Sequence, residues 1–566
     1  MAAANKWILL RLIAIYSVLV VTSGSNPHFV YREDWTEKSC ARVLHKVRHQ
    51  MVSTPLPPDV RGDWVSYRCE IRSGPEYVIR HFVFKNGTFE AVLYRFSDPD
   101  CHHPMYAIQS WGTHRLTQAS WTVRGGTEAE YDVTSAYVIP YTVNATQELS
   151  GRLAEGCGLT GLYTTMMPFS KYLIYSLPPH LDHSHHHQAE VKGRDPNQDG
   201  DVDCFHALNF TLHELQLVMV ELRRHHHGYH HHHHHHGGNK GRKSLSDNDL
   251  TGSDDIPLDP ADAQLTRELL LGAVHSKPED RQSHRPSSFQ TALKDGHTPG
   301  CGVCSRIMSS SALYPPRLTS HAGTLLSLEG EWVSTRCESR QYGMFLTRWL
   351  HFLPDGASWQ GQYDYYHDAL CRHPSFSLNA KGNYAGGTDS TLVHGAKDYS
   401  FKVTRLKVIP HDQATVDSMN HYGGNGCGKA HGWAVGQEQD VTKTGGCVTL
   451  GIRLPNMERD IMKMEVVHRK LHLYVGQRLI DRKPGTSYQK ERPTAFQEPL
   501  VKCDQVDLDM SINTAPGGHS WAGAVALPLS AGPDLDAKNS KNPIRIGFCC
   551  VLVSFFASIQ MSIILL

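Results

Sequence analysis

The sequence predicts a mainly β protein, built as a tandem duplication of an antiparallel β-barrel-like, disulfide-framed domain. Three observations carry that prediction. Gly62-Asp-Trp-Val-Ser-Tyr-Arg-Cys-Glu70 recurs as Gly330-Glu-Trp-Val-Ser-Thr-Arg-Cys-Glu338, a match too long for chance and the mark of a repeated unit. Apolar residues around each copy alternate in runs broken by turn pairs, as antiparallel strands do. Twelve of the 14 cysteines divide six and six between the copies, and an even set in an exported chain implies a disulfide framework.

From the N-terminus, residues 1–24 read as a secretory signal peptide: Lys6, an apolar stretch interrupted by Arg11, then small and polar residues. Asp34-Trp-Thr-Glu37 forms a capping box for a short helix with Cys40, Val43, Leu44 and Val47 on one face. The first repeat runs over residues 34–301. Its strands Tyr77 to Lys85 and Thr88 to Phe96 flank Asn86-Gly87, and the second copy has Asp355-Gly356 at the matching place; both pairs signal two-residue hairpins. Cys69 and Cys101 lie at comparable distances from the first turn, as Cys337 and Cys371 do from the second, so each pair is expected to bridge the open end of its hairpin. The remaining framework cysteines are Cys40, Cys157, Cys204 and Cys301 in the first copy and Cys304, Cys427, Cys447 and Cys503 in the second. Cys301-Gly-Val-Cys304 has redox spacing, yet the duplication assigns its two cysteines to different repeats, and exported cysteines are usually structural.

Histidine-rich insertions occupy about 180–259 of the first repeat. The tract from His225 to His236, with His183 and His185 to His187, offers ligands without geometry, so a disordered insertion is the better reading and no metal or cofactor is assigned. Asp195-Pro-Asn-Gln-Asp-Gly200 begins like a calcium loop but has His206 where a bidentate carboxylate is needed. The Gly pair in Arg124 to Glu128 forms a turn, with no counterpart of comparable sequence in the second copy. The second repeat covers 304–503, where Phe401, Val403, Leu406 and Val408, then Leu471, Leu473 and Val475, alternate as strands. A stalk follows over 504–545, and residues 546–566 are uncharged and long enough to span a bilayer. They serve either as a single C-terminal span or as the removed tail of a glycolipid signal. Either way the expected location is the extracellular face of the cell membrane. Sequons at Asn86, Asn144 and Asn209 agree with export.

Composition narrows the function. Fifty-six basic residues balance 56 acidic ones, which removes any global argument for nucleic acid. No nucleophile elbow, zincin pair or recurring carboxylate pair is present, so a binding ectodomain rather than an enzyme is expected. One face of the first hairpin reads Val78, Arg80, Phe82, Phe84, and its copy reads Leu346, Arg348, Leu350, Phe352. An arginine in an apolar row must meet a carboxylate or face a cavity. Arg80, Phe82, Phe84, Arg348, Leu350 and Phe352 are therefore the candidate ligand-binding residues, with an internal salt bridge as the plainer role for the arginines. Trp64 and Trp332 read as core.

The paired Trp-Val-Ser-x-Arg-Cys-Glu segments, Arg72-Ser-Gly-Pro-Glu, Gln118-Ala-Ser-Trp-Thr-Val-Arg-Gly-Gly-Thr-Glu, His213-Glu-Leu-Gln-Leu and Gly451-Ile-Arg-Leu-Pro resemble the adenomatosis polyposis coli down-regulated family of membrane glycoproteins. The resemblance implies a cell-surface inhibitor of Wnt signalling whose β-barrel-like domains bind the fatty-acyl group of Wnt in an apolar cavity. Its implied partners are lipid-modified Wnt ligands and Wnt receptor or co-receptor, with self-association left open. The residues alone also fit a lipid-independent adhesion or scaffold ectodomain that binds co-receptors through its surface. Two departures stand out: longer histidine-rich insertions, and no charged residues after the apolar C-terminal segment.

Overall fold

A computed structural model describes residues 38–503 except 158–165, 178–201, 227–262, 320–326, 423, 451, 455–456, 468–469 and 478–491. The signal peptide, the capping box, the calcium-like loop, most of the histidine tract, the stalk and the C-terminal apolar segment lie outside the described residues. Among those described, no helix is long and apolar enough to cross a membrane.

Each repeat forms a closed eight-stranded antiparallel barrel. The first comprises β1 (Gly62–Val65), β2 (Glu76–Lys85), β3 (Thr88–Phe96), β4 (Pro104–Ala119), β5 (Thr127–Pro140), β6 (Leu217–His226), β7 (Ala263–Leu271) and β8 (Leu293–Asp295). Neighbours in sequence are neighbours in space, and β8 pairs with β1 through Lys294 opposite Val65 to complete the ring. The second repeats this order with β9 (Gly330–Ser334), β10 (Met344–Phe352), β11 (Ser358–Tyr366), β12 (Pro374–Asp389), β13 (Lys397–Pro410), β14 (Met457–Val467), β15 (Lys470–Val475) and β16 (Leu500–Lys502). Its ring closes where Val333 of β9 faces Val501 of β16. Closure pairs the eight strands of each ring with one another, and short strands such as Glu70–Arg72 and Tyr172–Ser176 add to the first ring at its margins.

Local chemistry explains the details. Asn86 and Gly87 both take positive φ in the β2–β3 turn, as a two-residue hairpin of this type requires. The second hairpin departs from that expectation: Leu353 bonds Ser358, and Asp355 accepts from the amides of Ala357 and Ser358. Pro354 has no amide for a tight turn, so the loop is longer. In the longest strand pair of each barrel the register slips at Gly112 and at Gly382. A Cβ there would meet the carbonyl of Asp132 or Lys402 at 2.1 or 1.5 Å, so only glycine permits the bend. That slip also shifts the alternation between Val403 and Leu406 by one residue.

One end of each barrel is plugged by the segment that follows its fifth strand. Leu149 and Leu153 of helix α2 (Val143–Cys157) pack there in the first barrel, and Val416 and Met419 of helix α4 (Gln413–Tyr422) in the second. Cys157–Cys204 and Cys427–Cys447 staple these plugs. Cys69–Cys101 and Cys337–Cys371 join the pairs that the hairpins predict.

The two remaining bridges reveal an exchange. Helix α1 (Lys38–His49) buries Cys40, Val43 and Leu44 against Val333 and Val501 of the second barrel, and Cys40 is bonded to Cys503. Helix α3 (Gly302–Met308), which opens the second repeat, packs Cys304 and Ile307 on Val65, Ile79 and Tyr94 of the first barrel. Its Cys304 is bonded to Cys301, so the C-x-x-C pair forms a bridge across the repeat boundary read from the sequence. On the repeat boundary read from the sequence, each repeat therefore lends its opening helix to the other barrel.

The Arg124 to Glu128 loop, which has no counterpart of comparable sequence, nevertheless has its conformation repeated in the second copy. Ser120 and Ser390 both bond forward to residue 126 or 396, and Val123 and Val393 are fully buried. The conformation is kept by Gly125 and Gly395, both at positive φ, although the flanking residues differ. Val123 packs between the barrels with Phe289 and Phe345, and Val393 packs with Ile461 beside Ile71 and Phe496.

Candidate functional site

The repeated arginines form near-identical buried clusters. Arg80 is fully buried; its Nε donates to both carboxylate oxygens of Glu70 at 3.0 Å and its Nη2 to the Thr291 carbonyl at 2.7 Å. Ser66 Oγ donates to Glu70 at 2.6 Å and accepts the Arg80 amide at 2.8 Å. In the second copy Arg348 bonds Glu338 through Nε at 2.9 Å and the Glu498 carbonyl through Nη2 at 2.7 Å, with Ser334 in the place of Ser66. Burial alone would raise the Glu338 pKa, but Arg348 and Arg340 hold it below the usual carboxylate value. The Ser and Glu of the repeated motif and the arginine ten residues further on are thus one unit, which pairs a charge that would otherwise be costly to bury.

The arginine within the motif joins the barrels. Arg336 bonds Glu221 at 2.9 Å and lies 3.1 Å from Glu268, both on the first barrel. Arg68 answers it by reaching Glu498 at 3.5 Å and stacking over Tyr474 of the second. The matching segments Arg285-Pro-Ser-Ser-Phe-Gln290 and Arg492-Pro-Thr-Ala-Phe-Gln497 cross too: the Gly343 amide donates to Ser287 O and the Gly74 amide to Thr494 Oγ1.

Between these contacts lies a cavity of about 260 Å³. Much of its apolar wall comes from the second barrel's interior, with Leu346, Leu350, Tyr363, Phe401 and Met462, and the first repeat adds Ile71, Leu270 and Phe289. Its polar wall lies at the junction and carries both charges, with Arg72, Arg281 and Arg340 among Glu338, Glu465 and Glu498. Burial lowers the Arg72 pKa even with Glu214 at 3.4 Å, and its Nε is a buried donor without a hydrogen-bond partner among the described residues.

The first barrel does not open in the same way. Strand register puts Leu93 where the second barrel has Tyr363, and Arg95 where it has Tyr365. Arg95 pairs with Glu76, Glu76 with Arg281 at 2.9 Å, and Arg72 with Glu214, so ion pairs close that end. Of the six candidate residues, Arg348 and Leu350 line the cavity. Arg80 and Phe82 are sealed in the first barrel, and Phe352 packs against Tyr384 and Phe401; the expectation that all six line a cavity is corrected for these three. Phe84 borders a separate, smaller hollow at the opposite end of the first barrel. Periodicity alone missed Tyr363, Tyr365 and Met462. The signal that could have found them is the difference between copies, an aromatic Tyr363-Asp-Tyr-Tyr run against Leu93-Tyr-Arg-Phe.

The profile of the family described as adenomatosis polyposis coli down-regulated 1 matches residues 39–319 and again residues 320–512. The chain belongs to this family. The two matches fall one on each barrel, and membership in the adenomatosis polyposis coli down-regulated 1 family is consistent with regulation of Wnt signalling. It is not a known enzyme family.

Proposed function

We propose that this protein is a membrane-tethered, extracellular negative regulator of Wnt signalling that binds Wnt ligand by taking its fatty-acyl group into the second barrel. The observation that supports this reading most is the cavity itself, lined partly by the apolar interior of the second barrel and partly by polar residues of the junction, in a family connected with Wnt signalling. An eight-stranded barrel is wide enough for one small ligand. Each buried methylene contributes about 0.8 kcal/mol, so ten of them supply roughly 8 kcal/mol before the costs of ordering. The acyl chain would lie against Leu346, Leu350, Tyr363 and Met462, while donors such as Arg72 and Arg340 meet the polar linkage. Sequestered there, the acyl group is withheld from the receptor.

The test is binding of the full chain, displayed on cells, to a Wnt ligand with and without its acyl group. Loss of at least tenfold in affinity without the acyl group is expected. Equal binding would replace cavity capture with recognition through the outer surface.

A further inference from the structure

We propose that the hollow at the β2–β3 end of the first barrel seats the innermost sugar of an N-linked glycan carried by Asn86. The hollow measures about 230 Å³ and is separate from the acyl cavity, smaller than the roughly 300–1,000 Å³ of sites for drug-sized ligands and suited to one sugar residue. Its floor is apolar, from Val60, Phe84 and Leu116, and Asn86 of the Asn86-Gly-Thr88 sequon is part of its wall. A pyranose ring has an apolar face for such a floor and hydroxyl groups for the polar residues around it.

Those polar residues are in place. Asp59 and Arg61 stand exposed at the rim, joined by two bonds of 2.8 Å. His114 is 6% exposed, packs against the Phe84 ring, and places Nε2 3.2 Å from the Leu215 carbonyl. A carbonyl only accepts, so Nε2 carries the proton and Nδ1 is left as an acceptor, with no partner among the described residues. Burial lowers the His114 pKa, which keeps that acceptor available at neutral pH.

Covalent attachment decides the occupant. A glycan on Asn86 is delivered to a hollow that Asn86 itself borders, so its effective concentration there is far above that of any free sugar. Asn144, exposed in the first turn of α2, and Asn209 border neither cavity. In the transfer, the Asn86 side-chain nitrogen bonds C1 of an oligosaccharide carried on a lipid diphosphate. The C1–O bond breaks, the lipid diphosphate leaves with the electron pair, and the amide proton is released to water. The inference rests on the extracellular reading above, since the transfer belongs to the secretory pathway.

The experiment uses the full chain made in animal cells, with site occupancy read by mass spectrometry and glycan removal by a peptide amidase followed in time. On the native protein the Asn86 glycan should be released at least tenfold more slowly than the Asn144 or Asn209 glycan, and at the same rate after denaturation. Asp59→Ala/Arg61→Ala, confined to the exposed rim, should remove most of that protection. Equal native rates overturn the seat. So does an unmodified Asn86 on a chain glycosylated at Asn144 or Asn209, in which case export stands. A chain unmodified at all three overturns both this inference and the extracellular reading.

Discussion

Replacing Arg336 with methionine keeps a long apolar stem and removes the charge that fastens one barrel to the other. Arg336 is 14% exposed and contacts Glu221 and Glu268, which are 3% and 12% exposed. Burial alone would lower the Arg336 pKa, but Glu268 and Glu221 drive it well above its ordinary value, so the ion pair is firmly formed. Breaking a buried pair by removing one partner costs about 3–5 kcal/mol. Arg223 also contacts both carboxylates and limits the loss to the lower end, about 3 kcal/mol. For a domain of this size that lowers the melting midpoint by roughly 6–12 °C. Denaturant unfolding of the full chain should show the same loss as a lower midpoint with unchanged slope. The double variant Arg336→Met/Glu221→Gln, which leaves Arg223 paired with Glu268 at 3.1 Å, should recover most of it, because the cost lies in the stranded carboxylate rather than in the missing attraction. A loss below 1 kcal/mol in the single variant, or no recovery in the double, would refute this account of the junction.

Three further outcomes follow from the same geometry. Leu350→Trp fills the acyl cavity; excluding roughly four methylenes at about 0.8 kcal/mol each weakens acylated-Wnt binding by about 3 kcal/mol, or about 200-fold, and unchanged affinity would place the acyl group elsewhere. Burial opposes it, but Arg95 and Arg281 hold the Glu76 pKa down from 4.5 to about 2. A depressed carboxylate stabilises the fold above its unfolded pKa and loses that contribution as pH falls through the folded one. Stability should therefore drop by roughly 3 kcal/mol between pH 4.5 and 2, and Glu76→Gln should flatten that part of an unfolding-versus-pH curve; an unaltered curve would remove the assignment. Cys40→Ser/Cys503→Ser opens a bridge spanning 463 residues and should cost roughly 3–5 kcal/mol, with faster hydrogen exchange in α1 than in α3; equal exchange in the two helices would contradict the staple.

Much of this architecture is written in local sequence. The motif pair at Trp64 and Trp332 announces the duplication, the alternation through Arg80 and Arg348 sets which side chains point inward, and Asn86-Gly87 sets the first hairpin. Cys69 and Cys101 follow because a hairpin brings its own ends together whatever the rest of the chain does. The buried face of α1 was equally legible, since period 3.6 needs no knowledge of what the face meets.

What that face meets was decided only by the tertiary structure. Cys40 joins Cys503, and α1 and α3 trade barrels, because their docking grooves exist only once strands hundreds of residues apart have closed two rings and ion pairs such as Arg336 with Glu268 have set those rings side by side. The cavity has the same origin. The two hairpin rows look alike in sequence, yet Arg95 with Glu76 closes one barrel and Tyr365 leaves the other open, a difference that depends on charges from separate strands meeting at one barrel mouth. Periodicity reports which face of an element is buried; the partner across that face is a property of long-range packing.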